Sequence, residues 1–416
     1  MRSQSQEALV TLVKGLVNGP ASWTAPMMPK SSFLARFLPG STRRPQKRAE
    51  ISNQFIIHAS VQAGPWNAPR LLAGGEYVLF NNQTLECWSV RHDKLVWSYE
   101  RNGPDAFVSV FGAEVVEGGD QVNIIVCERF GTYGDRERSL IQILNLNFAT
   151  GMSTRLLSDF YRDIYGFTEA KICGNIACLL LRQYGSPKKN YSILMDWQVG
   201  SCLKLAANDS ETPFHLSLIS NRVLFMAENF SGTPEISLIN TTAFSRHWRQ
   251  TTDYSTLDTL HISEIEADIR DSVALGTRKQ LYPWNRDFGA YESPVREGTY
   301  KVLLQLVGYT SRGRTHAMVY SYSLSLPNGT RDRVIWRRTA AQSAEHMLYG
   351  SSGFSYPGHK LQFRQRVYAI THLGDPSHAV ALDLLDDADS PRLSTYTGAV
   401  TYTSRSQELV VITYFK

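Results

Sequence analysis

The sequence predicts an all-β chain: a β-propeller-like domain of about six to seven degenerate blades over residues 51–416, preceded by a short N-terminal helix. Three observations carry this. The stretch Leu71–Glu100 holds three short apolar runs, Glu76–Phe80, Leu85–Val90 and Leu95–Tyr99, separated by Asn81-Asn82 and His92-Asp93. Runs of five or six residues rich in Val, Tyr, Phe and Trp, bounded by Asn and Asp, read as strands joined by hairpins. Weaker copies of this unit recur. Their middle strands are LECWSV at Leu85, IQILNL at Ile141, SILMDW at Ser192, EISLIN at Glu235, MVYSYS at Met318 and AVALDL at Ala379. These start 56, 51, 43, 83 and 61 residues apart, the spacing of four-stranded propeller blades rather than of WD40 repeats, whose signatures are missing. Finally, 20 Tyr, 18 Phe and 8 Trp favour sheet over helix bundle. A set of stacked sandwiches is the alternative reading.

Taken in order, residues 1–20 place Leu9, Leu12, Val13, Leu16 and Val17 on one helical face. Ser3 with Gln6 resembles a capping box, and Asn18-Gly19-Pro20 is a stop. A helix this short is marginal alone, so Leu9, Val13 and Leu16 are expected to be buried against the propeller. Residues 21–50, with Arg43, Arg44, Lys47 and Arg48, read as a basic Pro/Ser/Arg linker, so residues 1–50 form one unit and 51–416 the other. A strand follows at Phe55–Val61, then the 71–100 meander. The second unit has Ala106–Val116, Val122–Arg129, Ser139–Leu146 and Thr154–Leu157. The third has Ala170–Cys173, Ile176–Leu181, Ser192–Trp197 and Cys202–Leu205. The fourth has His215–Ile219, Val223–Ala227, Glu235–Asn240 and a run closing at Trp248. An irregular piece, Thr251–Glu297, is followed by Tyr300–Tyr309, Thr315–Leu326, Val334–Arg338, Met347–Ser355, Arg366–His372, Ala379–Leu385, Ala399–Thr403 and Glu408–Phe415. The last strand should pair with an early one such as Phe55–Val61, because closing the ring removes an exposed edge.

Composition and motifs exclude more than they assign. The net charge of +5 is concentrated in residues 1–50, and the rest is nearly neutral, so the main body has no general attraction for nucleic acid. The longest apolar run, Ile172–Leu181, is broken by Gly174-Asn175 and is too short to span a bilayer, which points to a cytoplasmic or nuclear protein without membrane contact. Five cysteines, all in predicted strands, read as buried thiols rather than a disulfide framework or zinc site. No P-loop, GxGxxG, GxSxG or HExxH occurs, and the ten His residues show no metal-ligand spacing. No catalytic residue, cofactor or metal is therefore expected. A propeller glycosidase would betray itself by two or three carboxylates facing one another at the mouth of the central channel.

The irregular piece carries the candidate partner-binding residues. Arg278, Lys279, Tyr282, Trp284, Arg286, Phe288 and Tyr291 fall within 14 residues, and long connections in compact folds are functional more often than short ones. Arg278, Tyr282, Trp284 and Arg286 are the candidates, with Trp284 and Arg286 the central pair, since a flat aromatic beside a guanidinium suits a binding hot spot.

The stretch GGEYVLFNNQTLECWSVRHDKLVWSYE (residues 74–100) resembles a large family of fungal F-box proteins, in which such a strand series opens a propeller-like domain behind the F-box. EALVTLVKGLVNGPASW (residues 7–23) is similar to the helix and Gly-Pro-x-x-Trp segment that precedes that domain. The resemblance extends through residues 126–151, 195–205 and 236–248. It implies a non-enzymatic protein-binding module, the substrate-receptor part of a ubiquitin-ligase adaptor, with an unknown protein as partner. Nothing between Met1 and Ser52 matches the Skp1-binding motif, so Skp1 and cullin are expected only if an F-box is supplied upstream, and no Skp1-contacting residue is carried over. The alternatives are a glycan-active propeller enzyme and a free-standing interaction scaffold.

Overall fold

The computed structural model of the chain describes residues 6–23, 48–61, 68–82, 84–130, 138–162, 165–183, 189–207, 214–228, 233–251, 254–273, 282–309, 315–327, 333–344, 353–364, 367–373 and 375–416. Helix α1 (Gln6–Asn18) is followed by strand β1 (Ile51–Ile57) and then by seven sheets arranged as the blades of a propeller.

Blade 1 is β2 (Arg70–Leu71), β3 (Tyr77–Asn82), β4 (Thr84–Ser89) and β5 (Lys94–Ser98). Blade 2 is β6 (Ala106–Val115), β7 (Gln121–Phe130), β8 (Arg138–Asn147) and β9 (Ser153–Arg162). Blade 3 contains β10 (Tyr165–Cys173), β11 (Ile176–Gln183), β12 (Asn190–Asp196) and β13 (Ser201–Ala206). Blade 4 begins with β14 (His215–Ile219), β15 (Arg222–Glu228) and β16 (Pro234–Asn240). The next strand in the chain, β17 (Thr259–His261), turns back to lie parallel to β13 as a fifth strand of blade 3, and β18 (Ile269–Ser272) then completes blade 4. Blade 5 is β19 (Tyr282–Ser293), β20 (Arg296–Tyr309), β21 (Thr315–Ser325) and β22 (Ile335–Ala344). Blade 6 has β23 (His359–Arg364), β24 (Val367–His372) and β25 (Asp375–Ala381), with a bridge from Phe354 to Lys360 on one side and one from Arg48 to Ala381 on the other. Blade 7 is β26 (Ala388–Leu393), β27 (Ala399–Ser404) and β28 (Leu409–Phe415), closed by β1.

The ring therefore closes as expected. β1 pairs antiparallel with β28, Phe55 opposite Ile412 and Ile57 opposite Val410. The expected strand Phe55–Val61 starts and ends four residues earlier, because Ser60 takes a positive φ and Val61 anchors instead through its N–H to the Glu408 carbonyl at 2.7 Å. The sandwich alternative does not hold.

The cores lie between neighbouring blades. Along β7, Val122, Ile124 and Val126 face blade 1 while Ile125 and Cys127 face blade 3. Alternate residues of a strand point to opposite faces, and here both faces are covered. That is why the middle strands read as mostly apolar runs. Ile57, Val78, Phe80, Ala399, Val410 and Ile412 form the seam where blade 7 meets blade 1.

Three expectations need correction. The helix does not bury its apolar face: Leu9 and Leu12 are 53% and 52% exposed, and Val13 and Leu16 only half-buried. What docks is the segment after it. Gly19, Pro20, Ser22 and Trp23 are buried, Ser22 donates its N–H to the Lys416 carbonyl at 2.7 Å, and Trp23 meets His359 and Phe415 with centroids at 5.1 and 5.5 Å. Gly19 is suited to this place by its φ of +75° and by the His359 ring, whose Cε1 lies 2.7 Å from where a Cβ would be. Second, Thr251–Glu297 is not one irregular loop. It contains β17, β18, two single turns of 3-10 helix and the 12-residue β19. Third, the run ending at Trp248 is not the fourth strand of its blade. Residues Thr241–Phe244 form a 3-10 turn capped by the Asn240 side chain, and β18 takes the place on the sheet.

Candidate functional site: the central channel

One element from every blade converges on a cavity of about 920 Å³: β2, β6, β10, β14, β19, Gly353 and β26 all contribute to its wall. The blades are held in place around it by bonds that cross between them. Asn81 of β3 donates to the Val108 carbonyl at 2.8 Å, the Ala290 N–H donates to Ser217 Oγ at 3.2 Å, and Thr401 Oγ1 donates to the Pro69 carbonyl at 2.7 Å. Blades 2 and 3 approach so closely that a Cβ on Gly112 would lie 2.5 Å from the Ala170 carbonyl oxygen.

Among the described residues, the wall carries four cationic side chains, Arg70, Lys171, Arg182 and Arg392, and one carboxylate, Glu169. Lys171 pairs with Glu169 at 3.1 Å and also donates to the Leu216 carbonyl. Arg70 lies over the Phe111 ring, 5.0 Å from its centroid, and donates one N–H to the Phe111 carbonyl at 3.5 Å. Burial, with the charge of Arg392 as second cause, lowers the Arg70 guanidinium to about 10, and burial lowers Arg392 as well. Both remain cations at neutral pH. Tyr291 lines the wall too: its hydroxyl accepts the Phe354 N–H at 3.1 Å, and burial pushes its ionisation up. The interior is thus rigid and electropositive, and it can attract and orient an anion.

Three carboxylates outside the wall are already engaged by hydrogen bonds. Glu114 accepts the Gly174 N–H at 2.7 Å and is pushed up by burial, with a smaller contribution from the charge of Glu292. Glu292 itself accepts the Gly298 N–H at 3.3 Å. Glu128, fully buried, is held by Asn102 at 2.7 Å and Tyr99 at 3.2 Å. Among the described residues no three His, Cys, Asp or Glu side chains gather as a metal site. Burial pushes the Cys87 and Cys178 thiols up to about 12 and Cys202 to about 11, so these sulfurs are not nucleophiles at neutral pH. Among the described residues no helix is long and apolar enough to cross a membrane.

Of the candidates read from the sequence, Arg278 lies outside the described residues. Tyr282, Trp284 and Arg286 open β19, the channel-side strand of blade 5. Tyr282 is opposite Tyr309 and Arg286 opposite Leu306, and Trp284 falls at a bulge between Pro283 and Asn285. The premise of a long loop is gone: the three residues open a strand. Sequence reasoning missed Arg70 and Arg392. Arg70 sits in a two-residue strand, and Arg392 follows Pro391 in ADSPRL, which shows no strand pattern.

No protein-family model and no curated protein matches the chain. Among solved structures, it is similar to Raptor from Chaetomium thermophilum with a TM-score of 0.49 and 9% identity, over 89% of this chain and 29% of that one. The chain thus spans under a third of the length of that protein. It is similar to the WD40 domain of SCAP from fission yeast with a TM-score of 0.43 and 11% identity, over 84% of each chain. BamB from Moraxella catarrhalis gives a TM-score of 0.40 and 10% identity, over 88% of this chain and 100% of that one.

Proposed function

We propose that this chain is a non-enzymatic protein-binding module, the partner-recognition part of an F-box-type adaptor, and that it takes its partner at the mouth of the central channel. The observation that carries the binding reading is the wall itself, with cations from several blades around a single carboxylate. Such a surface steers an acidic segment into the channel and fixes its register. A glycosidase needs two carboxyl groups across the substrate. Here Glu169 is paired with Lys171, and Glu114 and Glu292 are spent on backbone N–H groups. The adaptor part of the reading rests on the resemblance at residues 74–100 and 7–23. The Gly-Pro-x-x-Trp segment is consistent with it, since it ties whatever precedes Gly19 firmly to the seam of blades 6 and 7.

The test is affinity capture with the tagged chain and with Arg392→Glu, after both are shown to melt alike. The expected result is a partner that the variant loses and that rising salt releases. An identical partner set from both would overturn the channel as the site. Skp1 in the wild-type capture supports the adaptor role, and its absence when an F-box is fused upstream refutes it. Turnover of an acidic polysaccharide would refute the non-enzymatic reading.

A further inference from the structure

Two guanidiniums line the channel close enough for the charge of one to act on the other, and Glu169, the carboxylate whose charge reaches both, pairs at 3.1 Å with Lys171 instead. Arg392 of β26 is opposite Thr401 in the blade 7 ladder, and Thr401 Oγ1 bonds the Pro69 carbonyl at 2.7 Å. Arg70 is the next residue. One ladder step and one hydrogen bond therefore separate the two, across the seam where the ring closes. Both are half-buried. Among the described residues no carboxylate comes within ion-pair distance of either. Of the five N–H donors of Arg70, one reaches the Phe111 carbonyl. The side chain of Arg392 makes no hydrogen bond among the described residues. Lys171, by contrast, is committed to Glu169 and Leu216.

We propose that Arg70 and Arg392 together clamp a tetrahedral oxyanion, a phosphate group, inside the channel. Two planar forks match a group with three free oxygens and two negative charges, where a single carboxylate satisfies only one fork. Holding two like charges half-buried and adjacent is unfavourable in the empty protein, and a dianion removes that cost. Their lowered ionisation agrees with the strain. The cavity of about 920 Å³ is many times larger than phosphate, so the group arrives on a larger carrier, either a small phosphate ester or a phosphorylated side chain. The side-chain source rests on the protein-binding reading above; the ester source does not.

The experiment is calorimetric titration of the full chain at pH 7.5 with inorganic phosphate, a sugar phosphate, a phosphoserine peptide and the same peptide carrying Glu. Arg392→Gln, Arg70→Gln and Arg91→Gln serve as variants, the last an exposed hairpin residue, and all are first matched in melting temperature. Saturable phosphate binding is expected, weakened about tenfold or more by Arg392→Gln or Arg70→Gln and unchanged by Arg91→Gln. Preference for the phosphopeptide over its Glu twin assigns the carrier to a protein. Preference for the sugar phosphate, with the peptide silent, supports the clamp and assigns the carrier to a small molecule. The proposal is overturned by absent phosphate binding, by equal affinity in Arg392→Gln, or by competition from chloride at equal concentration. Partner capture lost in Arg392→Glu while no phosphate binds anywhere overturns this clamp and leaves the acidic-partner reading standing.

Discussion

Acid should weaken the protein through one side chain, His359. It is 1% exposed, with Trp23 against its edge and the His372 ring 5.0 Å away. Its backbone is fixed by Ser355, which donates its N–H to the His359 carbonyl at 3.0 Å and accepts the His359 N–H on Oγ at 3.0 Å. Its Nδ1 finds no partner among the described residues, and the ring occupies the space that a side chain at position 19 would need. Burial is the largest influence, and the charges of His372 and Lys301 act in the same direction, so the folded imidazole titrates at about 3 rather than 6.5. The folded state therefore holds it neutral, while the unfolded chain takes up a proton below pH 6.5. Stability from this group is complete above about pH 6.5 and is lost as pH falls towards 3. At pH 5 the unfolded histidine is about 1.5 pH units below its own midpoint, which corresponds to a loss of about 2 kcal/mol. Denaturant unfolding at pH 7.5 and pH 5.0 measures it, with His359→Gln as the non-titrating reference. The wild type should lose about 2 kcal/mol more than the variant between the two conditions. Faster amide exchange at Ser22, corrected by the same variant, would place the loss at the Gly19–Trp23 strap. Equal losses in both proteins would mean that the histidine is already hydrated or charged in the fold, and the packing account of the strap would fail.

Three further outcomes follow from the same geometry. Gly112→Ala should destabilise by about 3 kcal/mol in thermal unfolding, since its methyl would collide with the Ala170 carbonyl and push blades 2 and 3 apart. At the blade 5–6 contact, the buried Lys360 ammonium donates to Asp287 and, at 2.8 Å, to Gln305. Asp287→Asn, which strands that charge, should cost about 3 kcal/mol in denaturant unfolding, whereas Lys360→Met should cost less than about 1 kcal/mol. Trp284→Ala with Arg286→Ala, in a chain shown to stay folded, should weaken capture of the channel partner roughly thirtyfold if the start of β19 forms a hot spot; an unchanged dissociation constant would leave that strand as framework.

The middle strands were legible because each is sandwiched between two blades. LECWSV, IQILNL and SILMDW show up as apolar runs since Leu85 and Cys87, Ile141 and Ile143, and Ile193 and Met195 all sit in inter-blade cores. Gly and Asn at the hairpins carried the punctuation: Asn221 and Gly200 both take the positive φ that such turns require. The helix misled for a related reason. Its apolar spacing is real, but nothing in the periodicity shows whether a partner surface lies within reach. In this fold the reach is set by Gly19-Pro20, which anchors the chain just after the helix and leaves Leu9 and Leu12 in solvent.

Three of the strands nearest the channel, β2, β19 and β26, failed the same test in the opposite sense, and that failure is informative. β2 is two residues long, β19 reads YPWNRDFGAYES, and β26 reads ADSPRL. None alternates; each lies at the end of its sheet with its unpaired edge toward the channel, and Pro or Gly is tolerated where a strand has only one neighbour to bond. Polar interruptions that look like loops in a sequence are therefore where a propeller keeps its interior chemistry. In each unit the stretch just before the first apolar pair is the place to look: Arg70 before Tyr77–Asn82, Glu169 and Lys171 before Ile176–Gln183, Arg392 before Ala399–Ser404. Charged residues that seemed scattered along the chain thus converge on one wall, four cations and one carboxylate among the described residues, and the ring closure between blades 7 and 1 is what brings Arg392 towards Arg70.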